Sequence, residues 1–185
     1  MIRVGCSAAP ADRTGRWFGR AARARGLTLI ELMVAVTIFA ILMALAVPSF
    51  RDAALGARLT AAANDLLASV QLARSEAIKR NVTVTVCASA NGTSCAASGD
   101  WDQGWIVRDN AAAEVIQRQQ ALPEGYLIAE ADDTLALSFQ PIGIGASAAT
   151  FTVCRDDPVG SQERVVTVTA SGSVYVTTTT TGSCP

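Results

Sequence analysis

Residues 27–47 read LTLIELMVAVTIFAILMALAV, a run of 21 residues in which Glu31 carries the only charge. As an α-helix this run would be about 31 Å long at roughly 1.5 Å per residue, which matches the hydrocarbon core of a bilayer. The apolar core of a secretory signal peptide is shorter, and a small-residue cleavage site follows it. The run therefore predicts a helix that spans a membrane once.

The segment before this run is strongly basic. Residues 1–26 contain six arginines and one aspartate, a net charge of +5, whereas residues 27–185 contain nine Lys and Arg against fifteen Asp and Glu, a net charge of −6. A basic arm can bind nucleic acid, or it can flank a membrane helix on the cytoplasmic side. Because the apolar run follows the arm directly, we expect a cytoplasmic N-terminus and an exported remainder.

Glu31 is an unusual residue for such a helix, because a charge at the centre of a membrane helix costs about 3 kcal/mol on insertion scales. No lysine or arginine lies between positions 27 and 50. One interpretation is an acid that is tolerated near the interface. The other is a cationic partner: if the chain is cut after Gly26, the α-amino group of Leu27 in a neighbouring subunit can pair with Glu31. That pairing would imply assembly of the helices.

Residues 25–32, RGLTLIEL, followed by an unbroken apolar helix and then Pro48, resemble the class III signal of type IV prepilins and type II secretion pseudopilins. The resemblance implies that a prepilin peptidase cuts after Gly26 and methylates Leu27. It also implies that Glu31 pairs with the N-terminus of an adjoining subunit and that Pro48 bends or locally melts the helix. This chain departs from the pattern in having Leu27 where Phe is commonest, and in its long leader.

The sequence after Pro48 predicts an α+β fold. Apolar residues recur at three- and four-residue spacing between positions 55 and 77, which predicts an amphipathic helix that ends near Arg80 and Asn81. Alternating segments rich in β-branched residues predict strands at 82–88, 104–108, 135–140, 150–154, 164–170 and 173–179. Ser171-Gly172 is expected to form the hairpin turn between the last two strands.

We therefore expect a long N-terminal helix, with a membrane half and an amphipathic half, packed on an antiparallel β-sheet domain. The expected organisation is a cleaved basic leader at 1–26, a transmembrane and assembly helix at 27–47, a helix continuation at 48–81 and a periplasmic β-rich domain at 82–185.

A second resemblance extends into this domain. Residues 64–66 (NDL), 72–78 (LARSEAI) and 101–107 (WDQGWIV) resemble the GspH/FimT family of minor pilins and pseudopilins, of the FimU-like kind. The resemblance implies a type IV pilin-like fold and a subunit that initiates assembly or forms the tip of a type IV pilus. Its partners would be prepilin peptidase, other major and minor pilins or pseudopilins, and inner-membrane lipid before assembly.

Two alternatives to this function remain open. The first is the minor pseudopilin H of a type II secretion system, and the second is a DNA-binding minor pilin for natural transformation. DNA binding is the less favoured, because phosphate contacts dominate such affinity and residues 177–185, TTTTTGSCP, contain no basic residue. The local basic spot that remains is Arg155 with Arg164.

Four cysteines remain once the leader is removed, and an even number in an exported domain predicts disulfides. Four cysteines allow three pairings, of which we favour Cys87–Cys95 and Cys154–Cys184. Each bond would contribute about 2–4 kcal/mol. A zinc site is disfavoured because the spacing is not that of a CxxC motif and the chain has no histidine.

No catalytic constellation is visible in the sequence. The lack of histidine removes Ser-His and Cys-His arrangements. The acid pairs Asp132-Asp133 and Asp156-Asp157 are typical of solvated turns, and a calcium loop would need more oxygen ligands at regular spacing. We expect a protein that is not an enzyme and that uses no cofactor or metal.

Overall fold

The computed structural model describes residues 28–145, 147–156 and 162–179, with the backbone alone at Pro48 and Ser49. Gly26, Leu27 and Cys184, for which the sequence predicts roles, lie outside the described residues. The chain divides into two compact units, one that ends at Ala44 and one that begins at Leu45.

Helix α1 comprises Leu29–Arg80 and includes Pro48. Its C-terminus lies where the basic residues predict, and Asn81 adopts the left-handed conformation with φ of 56°. The Val82 N–H donates to the Ala77 carbonyl at 3.3 Å. This pairing across a left-handed residue is a Schellman-type cap, and asparagine is one of the few residues that tolerates the conformation. Bending at Pro48 stays a prediction.

Eight strands form two antiparallel sheets, which confirms the predicted α+β fold of a long helix followed by antiparallel β-structure. The first sheet has the order β3-β2-β1-β5 and the second has the order β4-β6-β7-β8. The strands of the first sheet are β1 (Val84–Ala88), β2 (Trp105–Asp109), β3 (Val115–Gln119) and β5 (Ala136–Phe139). Those of the second are β4 (Tyr126–Glu130), β6 (Ala149–Arg155), β7 (Glu163–Val168) and β8 (Val174–Thr179).

The six predicted strands are present with ends shifted by at most two residues, but the sequence does not predict β3 and β4. The β3 sequence VIQRQ contains three polar residues, and most of its side chains are only half-buried. Such an edge strand lacks the alternation of buried and exposed residues on which recognition depends. The predicted turn at Ser171-Gly172 is confirmed, with Gly172 at a φ of 77° between β7 and β8.

The core lies between the second half of α1 and the inner faces of both sheets. One stripe of the helix is almost completely buried, and its members are Leu59, Ala63, Leu66, Val70, Ala73 and Ala77. Both domain tryptophans, Trp101 and Trp105, are buried in the same core. Trp101 meets Phe151 edge to face, with ring centroids 4.9 Å apart. The Trp105 Nε1–H donates to Ser69 Oγ at 2.9 Å and so fastens β2 to α1.

Candidate assembly surface

The first half of α1 is apolar around its whole circumference, and its large side chains are exposed. Every large apolar side chain from Leu29 to Val47 is between 44% and 76% exposed. Among the described residues α1 is also the one helix that is long and apolar enough to cross a membrane. A helix that is hydrophobic on all sides requires lipid or other helices around it.

Glu31 lies in the first turn of this helix and contacts Thr28. The Glu31 Oε2 atom accepts hydrogen bonds from the Thr28 N–H and from the Thr28 hydroxyl, both at 2.9 Å. The Glu31 N–H in turn donates to Thr28 Oγ1 at 3.2 Å. This reciprocal arrangement is a capping box, in which an N-cap Thr and a Glu three residues later satisfy the free N–H groups of the helix end.

The capping box was not predicted, although the Thr-x-x-Glu spacing is its sequence signature. It gives the carboxylate of Glu31 hydrogen bonds but no opposite charge. Within the described part of the chain, none of the ion pairs involves Glu31. The predicted cationic partner, the amino group of Leu27 in another subunit, lies outside the described residues.

The disulfide Cys87–Cys95 is present, as predicted, with the two Cα atoms 5.5 Å apart. It joins β1 to the loop that precedes the short helix η1 (Trp101–Gln103). Inside this loop, Asn91 Oδ1 accepts hydrogen bonds from the N–H groups of Thr93 and Ser94, each at 2.9 Å. Cys154 is also disulfide-bonded. Its predicted partner Cys184 lies outside the described residues, so that pairing stays a prediction.

An ionic cluster connects the end of α1 to the turn between β2 and β3. Arg80 contacts Glu76 within the helix, Glu114 at 3.2 Å and Asp109 at 3.5 Å. The hydrogen bond from Arg80 lowers the pKa of Glu76. Backbone hydrogen bonds from Ala112 and Ala111, together with the charge of Arg80, hold the pKa of Asp109 below its ordinary value. The cluster therefore stabilises the helix end only while both acids are ionised.

The sequence also singled out two pairs of aspartates and two arginines. Asp132, Asp133 and Asp156 are exposed in turns, as expected, and Asp157 lies outside the described residues. No group of three or more Cys, Asp or Glu side chains within the described ranges could hold a metal ion. Arg155 and Arg164 line the same cavity of about 640 Å³, opposite α1.

Two family profiles match this chain. The family described as "Type II transport protein GspH" matches residues 62–172. The "Prokaryotic N-terminal methylation motif" matches residues 21–47, which contain the predicted cleavage site and most of the exposed apolar helix. This motif implies processing by prepilin peptidase, and together with the apolar helix it indicates membrane anchoring. No curated protein sequence matches this chain.

Solved structures of similar fold include the type IV minor pilin FimU of Pseudomonas aeruginosa strain PAO1 in two crystal forms. Both are 21% identical to this chain and cover 64% of it. The matches span 91% and 87% of the FimU chains, with TM-scores of 0.52 and 0.53 respectively. The minor pseudopilin EpsH from the type 2 secretion system of Vibrio cholerae is 15% identical, with coverage of 65% and 96% and a TM-score of 0.48.

The GspH profile covers more than half of the chain, and the long helix followed by antiparallel sheets is the fold of the FimU structures. The members of this family are structural pilin subunits rather than enzymes. The chain therefore belongs to the GspH family, as a minor pilin or pseudopilin of the GspH/FimU type.

Proposed function

We propose that this protein is an inner-membrane minor pilin that helps to initiate assembly, or forms the tip, of a type IV pilus. Prepilin peptidase cuts the chain after Gly26 and methylates the new N-terminus at Leu27. Residues 27–47 then hold the subunit in the membrane, with the N-terminus cytoplasmic and the domain 82–185 periplasmic, until it joins other pilins. The observation that supports this most directly is the methylation motif on a helix that is apolar and exposed on all sides.

Glu31 serves this assembly by changing partners. In a single chain its carboxylate is bonded to Thr28. In a bundle of subunits the carboxylate is surrounded by apolar side chains, where an unpaired charge is costly and an ion pair is strengthened by the low dielectric constant. The methylated amino group of a neighbouring Leu27 supplies the opposite charge, and the apolar helices pack by van der Waals contact.

The alternative is a minor pseudopilin of a type II secretion system, and the observation that favours it is the description of the matching family as a type II transport protein. The two functions require the same processing and the same helix. Neighbouring genes distinguish them, because pilus-assembly genes would support the first function and secretion-channel genes the second.

The processing step is tested with Gly26→Ala, in cells that contain the peptidase. We expect the variant to accumulate as a full-length precursor in the membrane fraction, because the residue before the cut is changed. Gly19→Ala, the same change within the leader, is the matched control and should mature like the unmodified chain. Normal maturation of Gly26→Ala would place the processing site elsewhere.

The role of Glu31 is tested with Glu31→Ala and Thr28→Val. Glu31→Ala removes the charge and the two hydrogen bonds that the carboxylate accepts, whereas Thr28→Val removes the two hydrogen bonds of the hydroxyl and keeps the charge. We expect both variants to be cleaved and only Glu31→Ala to be poorly methylated or poorly incorporated into filaments. If both variants assemble equally badly, the cap rather than the ion pair is what assembly requires.

A further inference from the structure

The cavity that contains Arg155 and Arg164 has two chemically different walls. The wall formed by α1 is mainly apolar and includes Ala53, Leu55, Ala57 and Leu59. The opposite wall is polar and consists of Arg155, Gln162 and Arg164, at the ends of β6 and β7. We refer to this space of about 640 Å³ as the basic groove. A volume of this size is in the usual range for small-molecule sites.

The strand register explains why both arginines face the helix. Arg164 is paired with Val153, and Arg155 is paired with Tyr126. Residues that are directly opposite in an antiparallel pair project from the same face of the sheet. Val153 and Tyr126 are buried in the core, so both arginines lie on the core-facing side. The Tyr126 hydroxyl donates to the Leu55 carbonyl at 3.3 Å and connects this part of the sheet to α1.

The charge of the groove is opposite to that of the domain. Among the described residues, two arginines and one acid, Asp52, line it, whereas residues 27–185 carry a net charge of −6. Arg164 donates to the Glu163 carbonyl and to the Gln162 side-chain oxygen, which are both neutral acceptors. Within the described ranges Arg164 forms no ion pair with a carboxylate. Because its described partners are neutral, the positive charge of this guanidinium can attract an anion.

Chain connectivity keeps the helical wall of the groove near a membrane surface. Asp52 is five residues beyond position 47, where the apolar run ends. Five residues extend about 8 Å as a helix and at most about 18 Å as an extended chain. The headgroup layer on each side of a bilayer is about 5–8 Å thick. The groove therefore begins at or just beyond the headgroups, provided that residues 27–47 span the membrane as proposed above.

We propose that the basic groove binds the headgroup of an anionic phospholipid of the periplasmic leaflet. The guanidinium group of Arg164 holds the phosphodiester through charge-assisted hydrogen bonds, for which arginine is well suited, and Arg155 adds positive charge to the same wall. The apolar wall of α1 covers the glycerol and the first methylene groups. A free phosphate ion would make no use of this apolar wall, and a DNA duplex would require a longer basic surface than two arginines supply.

The test uses the full-length protein in a nonionic detergent with equal amounts of phosphatidylglycerol and of diacylglycerol with the same acyl chains, which lacks the phosphodiester. Native mass spectrometry measures how much of each lipid is retained. We expect phosphatidylglycerol to be retained about tenfold more, a factor that one charge-assisted hydrogen bond can supply. Arg164→Gln should bring the ratio close to one, and equal retention of both lipids by the unmodified chain would overturn the proposal.

Two further variants test whether the lipid preference depends on the groove itself rather than on the net charge of the protein. Arg58→Gln removes the same charge from an exposed position of α1 that does not line the groove, and it should leave the ratio unchanged. Arg164→Lys keeps the charge but not the planar fork, and it should retain part of the preference. An equal loss in Arg58→Gln would contradict a specific site.

Competitors distinguish the sources of phosphate. If inorganic phosphate at the same concentration as the lipid abolishes the preference for phosphatidylglycerol, the apolar wall adds nothing, the groove is an ion site and the lipid proposal fails. If a DNA duplex binds and Arg164→Gln abolishes that binding, the ligand is nucleic acid and the lipid proposal also fails. Carbonate extraction tests membrane insertion separately, because a protein that stays in the membrane without a lipid preference loses only the groove proposal.

Discussion

The two halves of helix α1 differ in how their apolar side chains are distributed and buried. Between Leu29 and Val47 it is apolar on all sides and exposed, whereas between Leu59 and Ala77 it is apolar along one stripe and that stripe is buried. The backbone is helical in both halves, so the difference lies in what each half needs around it. The second half obtains its cover from the two sheets of its own domain, and the first half must obtain it from lipid or from other subunits.

The acids of the two halves differ in the same way. Glu76, in the second half, pairs with Lys79 and Arg80 of its own chain. Glu31, in the first half, is bonded to the uncharged Thr28. Glu76 is therefore paired within its own domain, whereas the counter-charge proposed for Glu31 comes from another subunit.

The largest difference between the two halves is expected when the same substitution, Leu→Ala, is made in each and the free energy of unfolding is measured. Leu66→Ala removes a fully buried side chain and should lower the free energy of unfolding by about 3 kcal/mol. Leu42→Ala removes an exposed side chain and should leave the stability of the domain unchanged. Denaturant unfolding of the full chain in detergent, followed by the fluorescence of the buried tryptophans, measures both. Equal losses would mean that the first half is also part of the domain core.

A smaller loss is expected when the disulfide of the domain is removed. Changing Cys87 and Cys95 together to alanine should lower the free energy of unfolding by about 2 kcal/mol, because the unfolded chain is then less constrained. A reducing agent should destabilise the unmodified chain more than this variant, under the same unfolding assay. The same destabilisation by the reducing agent in both proteins would assign its effect to a bond other than Cys87–Cys95.

Ser69→Ala tests the hydrogen bond that fastens β2 to the buried half of α1. The substitution leaves the Trp105 Nε1–H buried without an acceptor, which should cost about 1–2 kcal/mol. Ser75→Ala removes a hydroxyl from an exposed position of the same half and is the matched control. A Ser69→Ala variant as stable as Ser75→Ala would show that this contact adds nothing to the packing of the helix.

The smallest effect is expected from pH. The pKa values of Glu76 and Asp109 are lowered in the folded state, so their contribution is complete above their ordinary values, near 4.5 and 3.8, and is lost as the pH falls below them. Unfolding midpoints measured from pH 6 to pH 3 should therefore decline, and Glu76→Gln should make the decline shallower. An unchanged pH profile in Glu76→Gln would contradict a stabilising role for its ion pairs.

Several features of the fold follow from local sequence signals, and others do not. The end of α1 could be predicted because basic residues and an asparagine mark a helix C-terminus. The β7–β8 hairpin could be predicted because Ser171-Gly172 separates two alternating segments. By contrast, β3 lies at a sheet edge with polar side chains, and the division into two sheets depends on long-range pairing that local patterns do not encode.

Local sequence signals likewise predict one of the two candidate surfaces better than the other. Residues 25–32 carry a compact motif, so the sequence alone predicts an assembly segment there. The basic groove joins Arg155 and Arg164 to α1 residues about 100 positions away, and its shape depends on the register of β6 with β4 and β7. Two separated arginines predict a basic spot, but only the pairing of the strands shows that both face one apolar wall.

The most direct test of this account is the mass of the N-terminal peptide from the protein extracted from membranes of its own cells. The account predicts a peptide that begins at Leu27 and carries a methyl group on its amino nitrogen. A mature protein that retains Gly26, or that begins within the apolar run, would contradict the assignment of residues 27–47 as the assembly helix of a pilin subunit.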